Sequence, residues 1–406
     1  PNPNVMVTFL LILTGGSGAR SAITLAFPSS RALSNHLSSF RHRISSRKQP
    51  ASCRRTLPWT RRYSRSSWSK YGRNGKFVGQ RAISTVSNDQ TANYRYPEAM
   101  VDTEWLAENI DKDPTLRIYD CSVFFGPPVS GSNAPYSVRS ALQEHRLGHI
   151  PGAEVLDIQE ELSEPSAPEH LKFMMPKDLD YLAQQFAKRG LGKDTHPILY
   201  SRGTPMWATR VWWMLRALGF DHASVLDGGY NRWAAEGRPI EMDTNEKPSS
   251  SYPPAEPIDT NSENSRPGLF VDASHVLEAL GDTEVCTINA LKPKIHTGQD
   301  DKYGRPGRIP GSVNVPYSSI LTTVEAKTDE DEELSYSLFA DAETASRAFL
   351  SAGAKKDGEN ILYCGGGISA TIDAFLMHQL GYENVVVYDG SLGEWAKDDT
   401  LPMETD

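Results

Sequence analysis

At 406 residues the chain is long enough for two or three domains, each burying its own core. Its charge is split: residues 1–88 hold 15 Lys and Arg and no acidic side chain, which leaves 27 basic against 51 acidic side chains in the rest. So acidic a body lacks the basic face that nucleic acid requires, and excludes that class of partner.

The N-terminal segment is rich in arginine and serine, as in Ser38-Ser39-Phe40-Arg41-His42-Arg43. An Arg-rich, Ser-rich, acid-free composition is that of an organelle transit peptide. Residues 1–88 are therefore expected to be a disordered presequence directing the chain to the mitochondrial matrix; a basic arm that grips nucleic acid is the competing reading. The apolar stretch from Val5 to Leu13 is far too short to span a bilayer, so no membrane partner is expected. Four cysteines, Cys53, Cys121, Cys286 and Cys364, show neither close pairing nor metal-type spacing. Neither a metal nor a disulfide framework is expected. Cys121 and Cys286 each sit near the end of an apolar run and read as small core residues.

An internal repeat sets the architecture. Gly148-His149-Ile150-Pro151-Gly152 returns as Gly307-Arg308-Ile309-Pro310-Gly311, an offset of 159. Ile198-Leu199-Tyr200-Ser201 returns as Ile361-Leu362-Tyr363-Cys364, an offset of 163. Val225-Leu226-Asp227-Gly228-Gly229 through Trp233 returns as Val387-Tyr388-Asp389-Gly390-Ser391 through Trp395, an offset of 162. In the first copy, strands are predicted over Pro197–Tyr200 and Ala223–Leu226, with a helix over Ala208–Leu218 between them. In the second, Asn360–Tyr363, Thr371–Leu380 and Asn384–Tyr388 repeat that order. Strands alternating with helices predict an α/β fold in which each copy is a mainly parallel sheet flanked by helices. The expected domains are 95–241 and 268–406. Residues 242–267, rich in Pro, Ser, Asp, Glu and Asn, read as a linker. Trp233 and Trp395 read as core residues, and Trp212 and Trp213 as core or interdomain packing.

Chemistry concentrates at Cys364. A short apolar strand delivers it to Gly365-Gly366-Gly367, and a helical pattern follows with Ile372, Phe375, Leu376 and Leu380 as its apolar face. Strand, glycine loop and helix N-terminus aim backbone N–H groups at one point, an arrangement suited to an anionic sulfur. No Gly-Lys-Ser/Thr follows the glycines, so a Walker-type phosphate loop is excluded. A cysteine phosphatase would need an arginine about six residues after the cysteine to clamp phosphate, and that position is Ala370. The first copy has Ser201-Arg202-Gly203 at the matching place, with no nucleophile elbow around the serine. One copy reads as structural, the other as chemical.

Both Ile-Pro-Gly turns, both Asp-Gly…Trp segments, Arg210-Val211-Trp212-Trp213-Met214 and the Cys364 loop together resemble the two-domain rhodanese superfamily, the thiosulfate and 3-mercaptopyruvate sulfurtransferases. The resemblance covers about residues 95 to 406. It implies two tandem rhodanese-like domains, the second catalytic. It also implies that Cys364 takes a sulfane sulfur from a small donor, holds it as a persulfide, and passes it to cyanide, a thiol or a thioredoxin-like protein, with no cofactor. Gly365, Gly366, Gly367, Ile368 and Ser369 would cradle the persulfide, and Ser369 could add a hydroxyl. Thiosulfate-type loops resemble Cys-Arg-Lys-Gly and mercaptopyruvate-type loops Cys-Gly-Ser-Gly; the uncharged loop here leans toward mercaptopyruvate, although Gly366 stands where that serine would be. The resemblance makes Lys294, Arg305 and Arg308 candidates for the donor's acidic end, against a solvated basic loop. It makes Asp157 an assisting candidate across the interface, against a simple turn cap. The alternative function is a sulfur-relay or persulfide-sensing adaptor with a protein acceptor.

Overall fold

The apolar runs of the repeat become the central strands of two sheets. The structure is a computed structural model that describes residues 94–132, 134, 136–243, 252–328 and 333–406. The expected presequence, 1–88, lies outside the described residues.

The first copy runs β1 (Met100–Val101), α1 (Thr103–Asn109), β2 (Leu116–Asp120), a hairpin of β3 (Val123–Gly126) and β4 (Ser137–Ser140), α2 (Leu142–Leu147) and β5 (Glu154–Val155). It continues through α3 (Leu179–Lys188), β6 (His196–Tyr200), α4 (Met206–Ala217), β7 (Ser224–Leu226) and α5 (Gly229–Ala235). The second copy opens with β8 (Phe270–Val271), α6 (Ala273–Glu278), β9 (Val285–Asn289), α7 (Pro293–His296) and β10 (Val313–Asn314). A hairpin of β11 (Leu321–Lys327) and β12 (Glu333–Phe339) follows, then α8 (Ala342–Ala352), β13 (Glu359–Tyr363), α9 (Ala370–Gln379), β14 (Val385–Tyr388) and α10 (Ser391–Trp395).

The two large sheets have the orders β1-β7-β6-β2-β5 and β8-β14-β13-β9-β10, one order written twice and parallel throughout. Parallel strands covered on both faces read as continuous apolar runs, which is why Ile198-Leu199-Tyr200 and Ile361-Leu362-Tyr363 are wholly buried. Asp178 and Asp341 start α3 and α8 by accepting the N–H of Tyr181 and Thr344. Trp233 and Trp395 sit in the core of their copies, each donating its indole N–H to a proline carbonyl.

The copies meet along α4 and α9. Thr209 and Thr371, 162 residues apart like the repeat itself, touch hydroxyl to hydroxyl at 2.8 Å. Trp212 stands edge-on to Phe375 with ring centres 4.9 Å apart, and one apolar cluster runs through both copies. A helix packed on a sheet and on another helix has no solvent face, so every residue of α9 is buried, the polar Asp373 and Gln379 included. The single apolar face expected there is thus a helix buried all round. The described part of the connector, 252–267, is pinned to the first copy rather than free. Tyr252 accepts the N–H of Ile118 and donates to the carbonyl of Gly152, Ile258 is buried, and Arg266 N–H bonds the carbonyl of Ala217. Among the described residues no helix is long and apolar enough to cross a membrane.

Candidate active site

Cys364 leaves the carboxyl end of β13, the middle strand of its sheet, and is only 2% exposed. Such ends are where parallel sheets present loops to ligands. The start of α10 straps the loop from below: Leu392 N–H bonds the carbonyl of Cys364 at 3.1 Å, and Gly393 N–H that of Gly365 at 2.9 Å.

Ser391 binds the loop most closely. Its Oγ accepts the N–H groups of Cys364 and Gly367, both at 3.0 Å, and donates to the Tyr388 carbonyl. To do so it adopts a left-handed backbone (φ 51°), which a residue with a Cβ reaches only at a cost. The expected cradle is therefore narrower than the loop. Two of its amides are spent on Ser391, while those of Gly365, Gly366, Ile368 and Ser369 donate to no acceptor among the described residues. Ser369 itself caps nothing with its side chain.

The loop glycines answer to their neighbours. A Cβ on Gly365 would collide with the Tyr303 phenol. Gly367 has φ 68°, and a Cβ there would lie 2.6 Å from an Asp389 carboxylate oxygen and 3.0 Å from the Arg210 guanidinium. The first copy resolves the same place differently. Arg202 fills it, paired with buried Asp120 and stacked 3.7 Å from the Tyr230 ring centre, while Ser201 donates its hydroxyl to the Thr204 carbonyl. That half is plugged.

Above the second-copy loop lies a cavity of about 250 Å³. Tyr136 and His170 line it from the first copy; Asp301, Lys302, Tyr303 and Lys397 line it from the second, with the backbone of Gly365 and Gly393 as floor. The Lys302 ammonium stands 5.5 Å and 5.7 Å from the ring centres of Tyr136 and Tyr303. Burial, then Lys397, holds the His170 imidazole below its ordinary pKa, so it is neutral at neutral pH. Burial, with the charge of Cys364 adding to it, pushes the Tyr136 phenol up to about 12. Burial followed by Cys364 also pushes the Asp373 carboxyl well above the carboxylate range; neither of its oxygens has a hydrogen-bond partner.

The cations expected at the donor's acidic end are engaged elsewhere, which is a correction. Arg305 donates to the carbonyls of Trp395, Ala396, Asp398 and Leu401, and Arg308 pairs with Glu404 and Asp406. Both staple the C-terminal segment to the Ile-Pro-Gly turn. Lys294 is exposed on α7 and does not line the cavity. Asp157 accepts the N–H of Glu160 and caps the turn after β5 rather than reaching Cys364. Sequence reasoning missed Tyr136, His170, Lys302, Tyr303, Ser391 and Lys397. The repeat carried one signal, since Ser391 stands where the first copy has Gly229.

Among the described residues, one group could hold a metal on proximity alone: ligand atoms of His145, His149 and Asp243 lie within 4.8 Å of one another. The two imidazoles, however, stack with centres 3.9 Å apart and planes 8° from parallel, so their in-plane lone pairs cannot converge on one ion. That trio packs the root of the connector.

The Rhodanese-like domain model matches residues 102–236 and 295–398. The chain is 30% identical to 3-mercaptopyruvate sulfurtransferase of Escherichia coli (strain K12), over 75% of this chain and 97% of that one. It is 30% identical to thiosulfate sulfurtransferase of Rattus norvegicus, over 76% and 94%. The crystal structure of an Escherichia coli 3-mercaptopyruvate sulfotransferase superposes with a TM-score of 0.54 at 29% identity, covering 72% of this chain and 98% of that one. With the duplicated sheets and the cysteine loop, these matches establish that the chain belongs to the rhodanese superfamily, as a two-domain protein related to the thiosulfate and 3-mercaptopyruvate sulfurtransferases.

Proposed function

We propose that this member of an enzyme family of sulfurtransferases moves a sulfane sulfur from a small anionic donor to a thiophilic acceptor through a persulfide on Cys364. The carrying observation is a cavity built from both copies that reaches Gly365, the residue after buried Cys364, with Lys302 and Lys397 among its lining residues. In the first half-reaction the Cys364 thiolate attacks the donor sulfur; a sulfur–sulfur bond forms, and the donor's leaving group departs with the electron pair. In the second, cyanide or a thiol attacks the outer sulfur and regenerates Cys364. The amides of Gly365, Gly366, Ile368 and Ser369 point the reading toward a cradle for that outer sulfur. Neutral His170 is the group available to take a proton from an incoming thiol.

The donor reading is 3-mercaptopyruvate ahead of thiosulfate. Tyr303 occupies the space at Gly365 where a charged loop side chain would stand, and the cations available to a donor's carboxylate, Lys302 and Lys397, line the cavity outside the loop. At 2% exposure the Cys364 sulfur favours small acceptors over a docked protein, so an adaptor role is the weaker reading. The Arg- and Ser-rich, acid-free composition of residues 1–88 supports mitochondrial import.

Intact-protein and peptide mass spectrometry after donor treatment tests the reading. One added sulfur on the Cys364 peptide, lost on adding cyanide, is expected. No added sulfur with either donor would overturn it.

A further inference from the structure

Two phenols face the Cys364 loop, one from each copy. Tyr303 packs its ring against Gly365, the residue after the cysteine, so closely that a Cβ there would meet its Oη, Cζ and Cε1. Tyr136 brings its hydroxyl to 3.8 Å from where a Cβ of Gly366 would stand. Both line the cavity, and neither hydroxyl bonds any described residue. Both residues are part-buried and open onto the cavity, so their hydroxyls are available to donate to a ligand that enters it. Burial, then the charges of Tyr136 and Cys364, keeps the Tyr303 proton on the phenol far above neutral pH. Tyr303 is therefore a standing hydrogen-bond donor packed on Gly365, the residue after the cysteine. Lys302 stands over both rings, a cation held next to a pair of neutral donors.

This order of groups matches one class of molecule. An α-keto acid bearing a β-thiol has a carboxylate at one end, a keto oxygen in the middle and sulfur at the other. We propose that the Tyr303 hydroxyl is a catalytic residue that hydrogen-bonds the keto oxygen of such a donor and stabilises the enolate formed as the carbon–sulfur bond breaks. The inference rests on the sulfurtransferase reading and adds a group whose effect depends on the donor.

With 3-mercaptopyruvate the Cys364 thiolate bonds the donor sulfur, the carbon–sulfur bond breaks, and its electron pair moves into the carbon–carbon bond to leave negative charge on the keto oxygen. The thiol proton passes through solvent to the methylene carbon. The products are pyruvate and an anionic Cys364 persulfide: the cysteine and donor sulfurs are each oxidised by one electron and the donor carbon is reduced by two, with no other reactant. Thiosulfate loses sulfite instead, which carries away the electron pair without forming an enolate. A donor aimed at the keto oxygen thus serves one substrate and not the other.

The test is Tyr303→Phe, which keeps the ring against Gly365 and removes only the hydroxyl, compared with wild type and Tyr136→Phe on both donors. Loss of an oxyanion donor should lower the ratio of kcat with 3-mercaptopyruvate to kcat with thiosulfate by about 100-fold, with the change in kcat rather than KM. An unchanged ratio overturns the assignment, whether both rates fall together or neither falls. So does a selective loss that appears in Tyr136→Phe instead. If wild type forms no Cys364 persulfide with either donor, the sulfurtransferase reading fails and takes this assignment with it. A persulfide in wild type with an unchanged ratio in Tyr303→Phe removes Tyr303 alone.

Discussion

Arg210 of the first copy and Asp389 of the second form an ion pair of 2.5 Å with both side chains almost wholly out of solvent, 0% and 4% exposed. The same guanidinium donates to the carbonyl of Gly367, inside the cysteine loop, at 3.0 Å, and to that of Phe173. Asp389 in turn accepts the N–H of Met175 from the first copy. The half without a nucleophile therefore holds the reactive loop of the other half in place.

Removing one partner of such a pair leaves a buried charge uncompensated. Arg210→Ala should destabilise the protein by about 3–5 kcal/mol in urea denaturation. Replacing both partners with apolar residues, Arg210→Met with Asp389→Leu, should recover most of that stability. Turnover should stay low in the double variant, because the Gly367 carbonyl has lost its anchor. A double variant with wild-type turnover would show that the pair serves stability alone.

Ser391 offers a separate handle on the loop. Ser391→Ala removes the acceptor of two buried N–H groups but keeps the left-handed backbone, and should cost about 2–4 kcal/mol. Ser391→Gly loses the same bonds and relieves the backbone, so it should be more stable than the alanine variant by about 1 kcal/mol. Both should lose turnover about 10- to 100-fold, since small misplacements of a reacting group are expensive. Equal stabilities for the two variants would mean the strain at φ 51° is not stored there.

Cys364→Ser should abolish transfer from both donors with the fold intact, whereas Cys121→Ser and Cys286→Ser should keep most activity. Both of these cysteines are buried, and burial is the main cause that raises their thiol pKa values, so they are poor thiolates at neutral pH. Turnover with each donor, with circular dichroism as the check on folding, decides between them.

The parallel, helix-flanked sheet of each copy was legible because the repeat writes strand, helix and strand twice, and the strand–loop–helix pattern put Cys364 at the carboxyl end of a strand. What surrounds the cysteine was not legible. Tyr136 and His170 arrive from the other copy, more than 190 residues away in the chain, and no local pattern announces them. Arg305 and Arg308 sit in a basic stretch whose charge gives no hint that the last residues of the chain fold back to meet it. Composition marked 242–267 as a linker, but could not weigh Tyr252 and Ile258, two apolar anchors in a polar run, against their neighbours.

Lys302 is, with Lys397, one of two cations the structure brings to the cavity in place of those expected. Lys302→Gln should raise KM for either anionic donor by about 10-fold, the loss of one charge-assisted contact, and make KM less sensitive to salt. Parallel titrations at low and high ionic strength read both effects. Unchanged KM would shift donor recognition to Lys397.

Asp227 adds a pH-dependent contribution to the interdomain contact. It mirrors Asp389, its Oδ1 accepting the N–H of Phe339 from the second copy at 3.0 Å, but its nearest cation, Arg232, is 4.0 Å away. Burial therefore dominates and raises its pKa from 3.8 to about 6. Between those two values the folded chain holds a proton that the unfolded chain has already lost, so this group's contribution to stability falls as pH rises through the window. Above about pH 6 the full cost is present, on the order of 3 kcal/mol. Asp227→Asn keeps an acceptor for Phe339 and has nothing to ionise. The variant should be more stable than wild type at neutral pH, and the difference should shrink steadily toward about pH 4. Urea denaturation of both proteins across that range measures it. A constant difference, or one that grows on acidification, would mean that Asp227 is ionised in the folded protein throughout and that Arg232 outweighs its burial.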